Sequence, residues 1–366
     1  MSALHWTIEA RALSLIEETP ALTEAQKTTG VRIPRLLHHD QDNNILIIED
    51  LGTGLLLLDE WLATPAVADT ASRRRQTPPS DSEAVVRNVG ERLGKLLASL
   101  HGMKLSDEPE ALQEFVNPTV SGFIAEEVVG KMSGYLEKYT NLEANRKDRI
   151  CSLIQTDFEE GNSGFSGGGN GDARERPGVF SVGDLWTGSI LVSENAERIG
   201  LIDFEFAGKA RPLQDMAQLG AHLHLQAIAM ASRNLKESSS SSLTVTTFVK
   251  ALYAAYHSHS RELEVFWLQD GDGDDNDSVN NEDHRRAVRS AWILHGREMI
   301  YNAIGRDWGF YSSHCGSGDA IDVQEIGKAE IQKKMMEKGV WYVEMAHKIG
   351  SEEAEGEDFL KPLYHQ

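Results

Sequence analysis

The chain has 366 residues, 40% of them hydrophobic, which is enough to bury one large core or two smaller ones. Its formal net charge of -21 at pH 7 argues against nucleic acid and anionic membranes as partners, because both would be repelled. Two cysteines, no charged-then-apolar leader and no apolar run near the ~20 residues of a spanning helix predict a cytoplasmic protein without a disulfide framework.

The first predicted elements are one helix and one hairpin. An amphipathic helix runs from Ile8 to Ile16, where apolar residues recur at helical spacing. Two β-rich runs follow, Val31–Leu37 and Ile45–Gly52, and the Asp- and Asn-rich stretch between them, Asp40–Asn44, is typical of a turn. These runs predict a β-hairpin.

The rest of the chain is predicted to be mostly helical and to carry several insertions. Helical spacing of apolar residues recurs in six stretches, which are Val85–Gly102, Leu112–Leu153, Ala217–Met230, Phe248–Tyr256, Ala287–Ile300 and Ile326–Met345. Polar, glycine-rich, serine-rich or acidic runs near 64–82, 161–178, 236–243 and 270–283 predict insertions, and 351–366 predicts an acidic tail.

Two further patterns in the insertions lack the context that their chemistry needs. Gly164–Gly168 matches a nucleophile elbow, but no buried strand enters it and no helix leaves it. The run from Asp270 resembles a calcium loop, but Asp275 stands where the tight turn needs glycine, and Asn281 where a bidentate Glu is needed. A linker and an acidic insertion are the better interpretations.

The most specific pattern lies in Phe180–Val192 and Gly200–Ala207. Asp184 is followed five residues on by Ser189, and a short strand predicted at Ile199–Ile202 ends next to Asp203. Transfer of a γ-phosphoryl group needs a carboxylate that holds the acceptor hydroxyl and magnesium ions that bridge the phosphate oxygens. This spacing of acids therefore indicates a phosphoryl-transfer centre.

These segments resemble the aminoglycoside phosphotransferase and choline kinase family, whose loop reads roughly His-Gly-Asp-Leu-x-x-Gly-Asn and whose metal motif reads Ile-Asp-x-Glu. In this chain the end of the loop reads Thr187–Ile190, with Ser189 in place of the Asn. This form of the loop is similar to that of the methylthioribose kinase branch. The resemblance implies that Asp184 is the catalytic base, that Ser189 and Asp203 are metal ligands, and that Glu205 is an auxiliary acid near the metal. It also implies ATP and Mg as cofactors and a hydroxyl of a small molecule as the acceptor.

The resemblance further implies an α+β, protein-kinase-like two-lobe fold. Residues 1–52 would form a truncated small β lobe with the hinge, and 53–350 a large, mostly helical lobe. Glu9 would be the acid that pairs with a nucleotide-gripping lysine, and Glu49, Asp50 and Leu51 would meet the adenine at the hinge. A plain strand running into a turn predicts the same three hinge residues.

Some residues outside the loop also fit this family. Asp215 resembles the Asp that starts the next helix and braces the loop from behind, and His101 is expected to be a structural residue at a helix end. Four aromatic residues of the C-terminal part could line an acceptor pocket or pack in a core, and the sequence favours neither. These residues are Trp292, Trp308, Phe310 and Tyr311.

Two departures from the family pattern leave two interpretations of the function. The first lysine of the sequence is Lys27, so none precedes Glu9, and Val182 occupies the usual His position. Either the sequence lacks the beginning of the nucleotide lobe, and this form binds ATP weakly, or the protein is a catalytically impaired pseudokinase that binds a ligand or partner.

Overall fold

The structure, a computed structural model, describes residues 3–64, 81–103, 115, 118–163, 178–233, 240–263, 265, 278–306, 308, 320–349 and 359–364. Most of the stretches near 64–82, 161–178 and 270–283, and half of 236–243, lie outside these residues. Phe310, Tyr311, the nucleophile-elbow pattern and the first part of the calcium-loop pattern, Asp270–Asp277, also lie outside them. The described residues contain both strands and helices, with helices in the majority, as the α+β prediction requires.

Twelve α-helices make up most of the described chain. They are α1 (Ala3–Glu18), α2 (Pro20–Thr29), α3 (Leu58–Ala63), α4 (Asp81–His101), α5 (Pro118–Phe123), α6 (Met132–Tyr139), α7 (Ala144–Ser163), α8 (Gln214–Arg233), α9 (Ser240–Glu262), α10 (Ser278–Gly305), α11 (Ala320–Met345) and α12 (Lys361–Tyr364). A π-helical turn, Ile124–Val129, continues α5. Over the residues that the structure describes, no helix is both long enough and apolar enough to cross a membrane.

Eight short strands form three small sheets. They are β1 (Val31–Arg32), β2 (Leu36–Asp40), β3 (Ile45–Ile48), β4 (Leu55–Leu57), β5 (Val179–Ser181), β6 (Ile190–Ser193), β7 (Ile199–Leu201) and β8 (Gly208–Ala210). The largest sheet has the order β1-β7-β6-β4, in which β1 runs parallel to β7 and the other pairs are antiparallel. Strands β2 and β3 form one separate hairpin, and β5 pairs with β8.

The β6–β7 hairpin carries the segments with the predicted acids. Most of its apolar side chains are buried, with Ile190 and Leu201 at 0% exposure and facing each other in the register. The turn is closed by side-chain hydrogen bonds, because the Ser193 hydroxyl donates to Asn195 Oδ1 (2.8 Å) and accepts from the Arg198 N–H (3.0 Å). The strand predicted at Ile199–Ile202 is present as β7.

The first predicted hairpin exists, but its first strand differs from the prediction. The run Val31–Leu37 is divided into β1, which joins the β6–β7 sheet, and the start of β2, which extends to Asp40. Pro34 lies between the two, and proline has no N–H to donate to a strand ladder. The turn to β3 includes Asn44 with φ 54°, a left-handed conformation that Asn tolerates.

The helices form a core in which some of the predicted aromatic residues are packed. Helix α8 packs against α9, α10 and α11. Trp292 on α10 is fully buried, and its ring centroid lies 5.5 Å from Trp341 and 5.1 Å from Tyr342 of α11. Trp292 therefore belongs to the core. The helices α9 and α10 begin at Ser240 and Ser278, inside the stretches predicted as insertions.

Two glycines permit the close crossing of α4 and α9. A Cβ atom on Gly94 would lie 2.3 Å from the Leu252 carbonyl oxygen, and one on Gly90 would lie 2.7 Å from the Phe248 carbonyl oxygen. Both contacts are with backbone, which cannot move aside as a flexible side chain does. The crossing distance therefore depends on these glycines.

We expect Gly94→Ala to lower the free energy of unfolding by about 1–3 kcal/mol, the usual cost of overpacking a core. Gly134→Ala is the matched control, because a Cβ there meets nothing within 4 Å and Gly134 lies inside α6. There, alanine should instead stabilise the helix by up to about 1 kcal/mol. Urea unfolding of both variants tests this, and equal effects of the two substitutions would contradict the tight crossing.

Candidate active site

The loop between β5 and β6 turns sharply at Gly183, just before the predicted base. Gly183 has φ 90°, and a Cβ atom there would lie 1.9 Å from the Phe206 carbonyl oxygen. A side chain at this position would therefore be strained in conformation and would collide with backbone. Glycine here allows the loop to reverse direction just before Asp184.

The buried carboxylate of Asp215, at the start of α8, holds this loop from behind. Its Oδ1 accepts from the Ser181 hydroxyl (2.6 Å) and the Gly183 N–H (3.2 Å), and its Oδ2 accepts from the Val182 N–H (2.8 Å). The last residue of β5 and the first two residues of the loop are thus bonded to one carboxylate. This is the bracing position that the sequence predicts for Asp215.

His101 extends the network to two more helices. Its Nε2 donates to Asp215 Oδ2 (3.0 Å), and its Nδ1 lies 2.7 Å from the Tyr256 hydroxyl on α9. Burial by itself would raise the pKa of Asp215, but the hydrogen bonds from His101, Ser181 and Val182 outweigh it and hold that pKa below its usual value. His101 is therefore a structural residue at the end of α4, as predicted.

Asp184 lies in a very different environment. Burial raises the pKa of its carboxyl to about 7, and the charges of Glu298 and Asp203 act in the same direction. Gln218, one turn after Asp215 on α8, donates to Asp184 Oδ1 (2.5 Å) and partly opposes this effect on the pKa. The result is a carboxylate that gains and loses its proton near neutral pH.

Ser189 points into the loop and is fully buried. Its hydroxyl donates to the backbone carbonyl of Asp184 (3.2 Å), and its N–H donates to the Trp186 carbonyl (3.1 Å) in the short 3₁₀ turn Thr187–Ser189. Gly188 leaves room for the Trp186 ring, because a Cβ atom there would lie 2.3 Å from it. Ser189 and Asp184 are thus joined directly.

Asp203 and Glu9 lie together beyond the end of β7. Asp203 has φ 73°, and burial raises its pKa, although the Trp186 side chain acts in the opposite direction. Glu9 on α1 accepts from the Phe204 N–H (3.4 Å). The pKa of Glu9 is raised by burial and by the nearby charges of Asp203 and Glu205, although the Phe204 N–H opposes this.

These acids fit a magnesium ion that is shared with a substrate phosphate. Within the described ranges, no group of three or more His, Cys, Asp or Glu side chains is placed to hold a metal by itself. Magnesium, however, usually takes one or two protein carboxylates and completes its shell with phosphate oxygens and water. The pKa values of Asp184 and Glu9 are raised by burial and by nearby like charge, which a cation would offset, whereas burial alone raises that of Asp203.

The three predicted hinge residues follow β3, and their side chains are either bonded to other groups of the protein or buried. The Glu49 carboxylate lies 2.6 Å from Arg32 Nη2 and 3.4 Å from Arg35 Nε. Asp50 Oδ1 accepts from the Gly52 N–H (2.8 Å), and Leu51 is buried. A contact of this segment with a nucleotide stays a prediction, and it would use the backbone more readily than these side chains.

A small cavity adjoins the loop on the side of β8. Its volume is about 150 Å³, and its lining includes Gly183, Phe206, Phe158 and Arg297. Arg297 Nη2 lies 2.6 Å from Oε1 of Glu298, the acid whose charge helps to raise the Asp184 pKa. The cavity and the predicted base are therefore linked through this ion pair.

The sequence analysis missed three residues of the site. Gln218 could have been predicted from its spacing, because it lies three positions after Asp215 and thus on the same face of α8. Glu298 lies on α10, and Arg306, which donates to the Thr187 hydroxyl (3.2 Å), directly follows it. No motif marks either residue. Their position depends on how α10 packs against α8.

Comparisons with known proteins place this geometry in context. A family model described as "Phosphotransferase enzyme family" matches residues 9–236. The protein named 4-hydroxytryptamine kinase, from Psilocybe cyanescens, is 24% identical over 214 residues, which cover 57% of this chain and 51% of that protein. The chain thus spans about half the length of this curated relative.

Two solved structures show a distant likeness. The glucosamine kinase in complex with glucosamine, ADP and inorganic phosphate has a TM-score of 0.47 and 12% identity over 87% of this chain and 70% of its own. An ethanolamine kinase from Plasmodium vivax has a TM-score of 0.35 and 12% identity over 86% of this chain and 73% of its own.

We expect Asp215→Ala to destabilise the fold by about 3 kcal/mol or more, because it leaves His101 and two buried loop N–H groups without their acceptor. Tyr256→Phe removes only the outermost hydroxyl of the network and should cost about 1 kcal/mol. Chemical denaturation at pH 7 measures both. Equal losses for the two variants, or a loss below about 1 kcal/mol for Asp215→Ala, would show that this carboxylate does not hold the loop.

Proposed function

Because this chain belongs to the phosphotransferase enzyme family, we propose that it transfers the γ-phosphate of ATP, in a magnesium-dependent reaction, to a hydroxyl of a small molecule. Family membership confirms the resemblance found in the sequence and, with it, the protein-kinase-like α+β fold. The observation that carries the proposal is Asp184, a partly buried acid with a pKa of about 7 at the turn of a braced loop. A base is most effective when its pKa lies near the working pH.

In this proposal Asp184 orients the acceptor hydroxyl and takes its proton. Gln218 fixes Oδ1 of Asp184 by a hydrogen bond, and we assign Oδ2 to the acceptor. The bond from the Ser189 hydroxyl to the Asp184 carbonyl, together with the bonds of Asp215 to the preceding residues, keeps the base from turning away. Such positioning is the main contribution that a protein makes to phosphoryl transfer.

Asp203, Ser189 and Glu205 are the residues that we assign to magnesium. When bound, the ion neutralises charge on the phosphate oxygens during transfer. The Ser189 proton is engaged with the Asp184 carbonyl, so only the lone pairs of its oxygen are left for a cation. Asp203, just beyond the end of β7, is the principal ligand in this assignment.

The remaining assignments concern the nucleotide, the acceptor and the setting. We assign Glu9 to the phosphate side of ATP, and the backbone around Glu49, Asp50 and Leu51 to the adenine. The name of the curated relative, 4-hydroxytryptamine kinase, supports a small hydroxylated acceptor. We place the reaction in the cytoplasm, where ATP is available, with 1–52 as the small lobe and 53–350 as the large lobe.

A pseudokinase that binds a ligand or partner is the second candidate. The surroundings of Glu9 favour this candidate. Its carboxylate accepts a hydrogen bond from the Phe204 N–H, and among the described residues it forms no ion pair with a lysine. Val182, in the place of the family's His, gives the same indication. Nucleotide binding without turnover would distinguish this candidate from the kinase.

We expect Asp184→Asn to lower kcat by ~10² or more, the scale of losing a general base, while nucleotide binding changes little. Asp203→Ala should instead abolish the magnesium dependence of nucleotide binding. Formation of ADP with a panel of hydroxylated acceptors measures turnover, and calorimetry measures binding. Asp148→Asn, the same chemical change on an exposed turn of α7, is the control. Parent-like behaviour of both site variants would refute the assignment.

The pH dependence gives a second test of the same residue. Since the base works deprotonated, kcat/KM should fall as the pH drops below about 7. Glu298→Gln removes a charge that raises the Asp184 pKa and should move this limb to lower pH, whereas Gln218→Leu removes an opposing hydrogen bond and should move it to higher pH. If this limb of the pH profile moved in the same direction in both variants, or in neither, another group would be the one that titrates.

A further inference from the structure

Every charged side chain that lines the small cavity beside Gly183 is basic. These side chains are Lys209 on β8, Arg211 just after it, and Arg297 on α10. The chain as a whole has 57 acidic and 36 basic residues, so three cations without an acid run against its composition. The larger groove between α2, α4 and α9, of about 930 Å³, is lined by acidic and basic side chains alike. Positive charge is therefore a particular property of the small cavity.

Arg297 is only 8% exposed and has hydrogen-bond donors left over. Its Nε and Nη2 both donate to Oε1 of Glu298, at 3.2 and 2.6 Å, so this carboxylate holds one edge of the guanidinium. Among the residues that the structure describes, Nη1 at the other end has no hydrogen-bond partner. A buried N–H of a charged group costs free energy unless an acceptor meets it. This end of Arg297 is thus fitted to an acceptor that enters the cavity.

Arg211 is also held by a carboxylate from outside the cavity. Its Nη1 donates to the carbonyl of Asp157 (2.8 Å) and lies 2.9 Å from Oδ2 of the same residue. Gly161, one turn further along α7, leaves room for the guanidinium, because a Cβ atom there would lie 2.8 Å from Arg211 Cζ. Neither Asp157 nor Glu298 belongs to the lining of the cavity. The two carboxylates therefore hold the arginines in place without filling the space between them.

The walls and the size of the cavity restrict what binds there. Phe158, Phe206 and Leu294 supply apolar walls, and charges interact more strongly where water is scarce. The volume of about 150 Å³ corresponds to roughly five water molecules at about 30 Å³ each. This is room for one carboxylate or phosphate group and not for a nucleotide. Guanidinium groups match the oxygens of both these anions.

We propose that this cavity is an anion-binding site that takes one carboxylate or phosphate group, held by Arg297, Arg211 and Lys209. None of the residues assigned above to magnesium or the nucleotide lines it, so the site does not depend on phosphoryl transfer. Gly183 lines the cavity and directly precedes Asp184, so the anion lies beside the proposed base. The anionic group is either part of the acceptor or a separate small molecule.

The first measurement is binding of inorganic phosphate to the magnesium-free, full-length chain, followed by the rise of the unfolding temperature with phosphate at constant ionic strength. Arg297→Lys keeps a cation for Glu298 but loses the fork, so phosphate should bind about tenfold more weakly. Lys209→Gln removes a charge and should have an effect of about the same size. An unfolding temperature that does not respond to phosphate, or variants that respond like the parent chain, would overturn the proposal.

Arg92→Lys is the matched control for folding effects. Arg92 is a partly buried arginine that donates to backbone carbonyls away from this cavity, those of Thr29, Gly30, Ala196 and Glu197. This variant should bind phosphate as the parent chain does. If it loses as much phosphate binding as Arg297→Lys, the loss comes from the fold and the proposal fails. Lys209→Gln, at a half-buried position of β8, decides the matter if Arg297→Lys does not fold.

Turnover separates the two sources of the anion, and this comparison rests on the proposed function. Each hydroxylated acceptor that carries a carboxylate or phosphate group is paired with a neutral analogue. If the anion is part of the acceptor, Arg297→Lys should raise KM for the charged member about tenfold more than for the neutral one. If the anion is separate, added phosphate should change kcat/KM for both members alike.

The two proposals fail in different ways. Phosphate binding that is weakened in Arg297→Lys, without turnover of any acceptor, would mean that the proposed function fails while the anion site stands. Turnover by a parent chain that binds no phosphate would mean that the anion site fails alone.

Discussion

The buried carboxylate of Asp215 is the interaction on which the candidate site depends. An ionised carboxylate removed from water costs several kcal/mol unless hydrogen bonds replace its hydration. Here the donors are the Ser181 hydroxyl, two consecutive loop N–H groups and His101. Because these donors come from β5, the loop and α4, satisfying one charge also fixes three elements relative to α8. The direction in which Asp184 leaves the loop is a consequence of this arrangement.

Asp184 and Asp215 show how environment separates the roles of two chemically identical groups. Burial acts on both in the same direction, and the difference lies in what surrounds them. Asp215 is met by donors on both oxygens, which hold its pKa low, so it stays an anion. Asp184 has Gln218 as a donor, and burial together with the like charges of Glu298 and Asp203 raises its pKa to about 7. One is fitted to hold structure and the other to exchange a proton.

The sequence predicted the parts of this site that are close together along the chain. Asp184, Ser189 and Asp203 lie on one loop and hairpin, so their spacing alone brings them near one another. Gln218 and Arg306 contact this loop from 34 and 119 residues away, through helix packing that no spacing encodes. Likewise, the apolar pattern predicted the first hairpin, but it did not show that the strand before Pro34 joins another sheet.

The crowding of acids around Asp184 has a thermodynamic consequence that supports a ligand-binding site. A pKa raised from 3.8 to about 7 means that ionised Asp184 is less stable in the folded chain, by about 4 kcal/mol at 1.36 kcal/mol per pKa unit. For a carboxyl group with a raised pKa, this cost is absent at low pH and grows as the pH rises from 3.8 towards 7. A fold selected for stability alone would have paired this acid, as it paired Asp215. A cation bound near Asp203 would remove part of the repulsion, so ligand binding and the proton affinity of the base are coupled through the same charges.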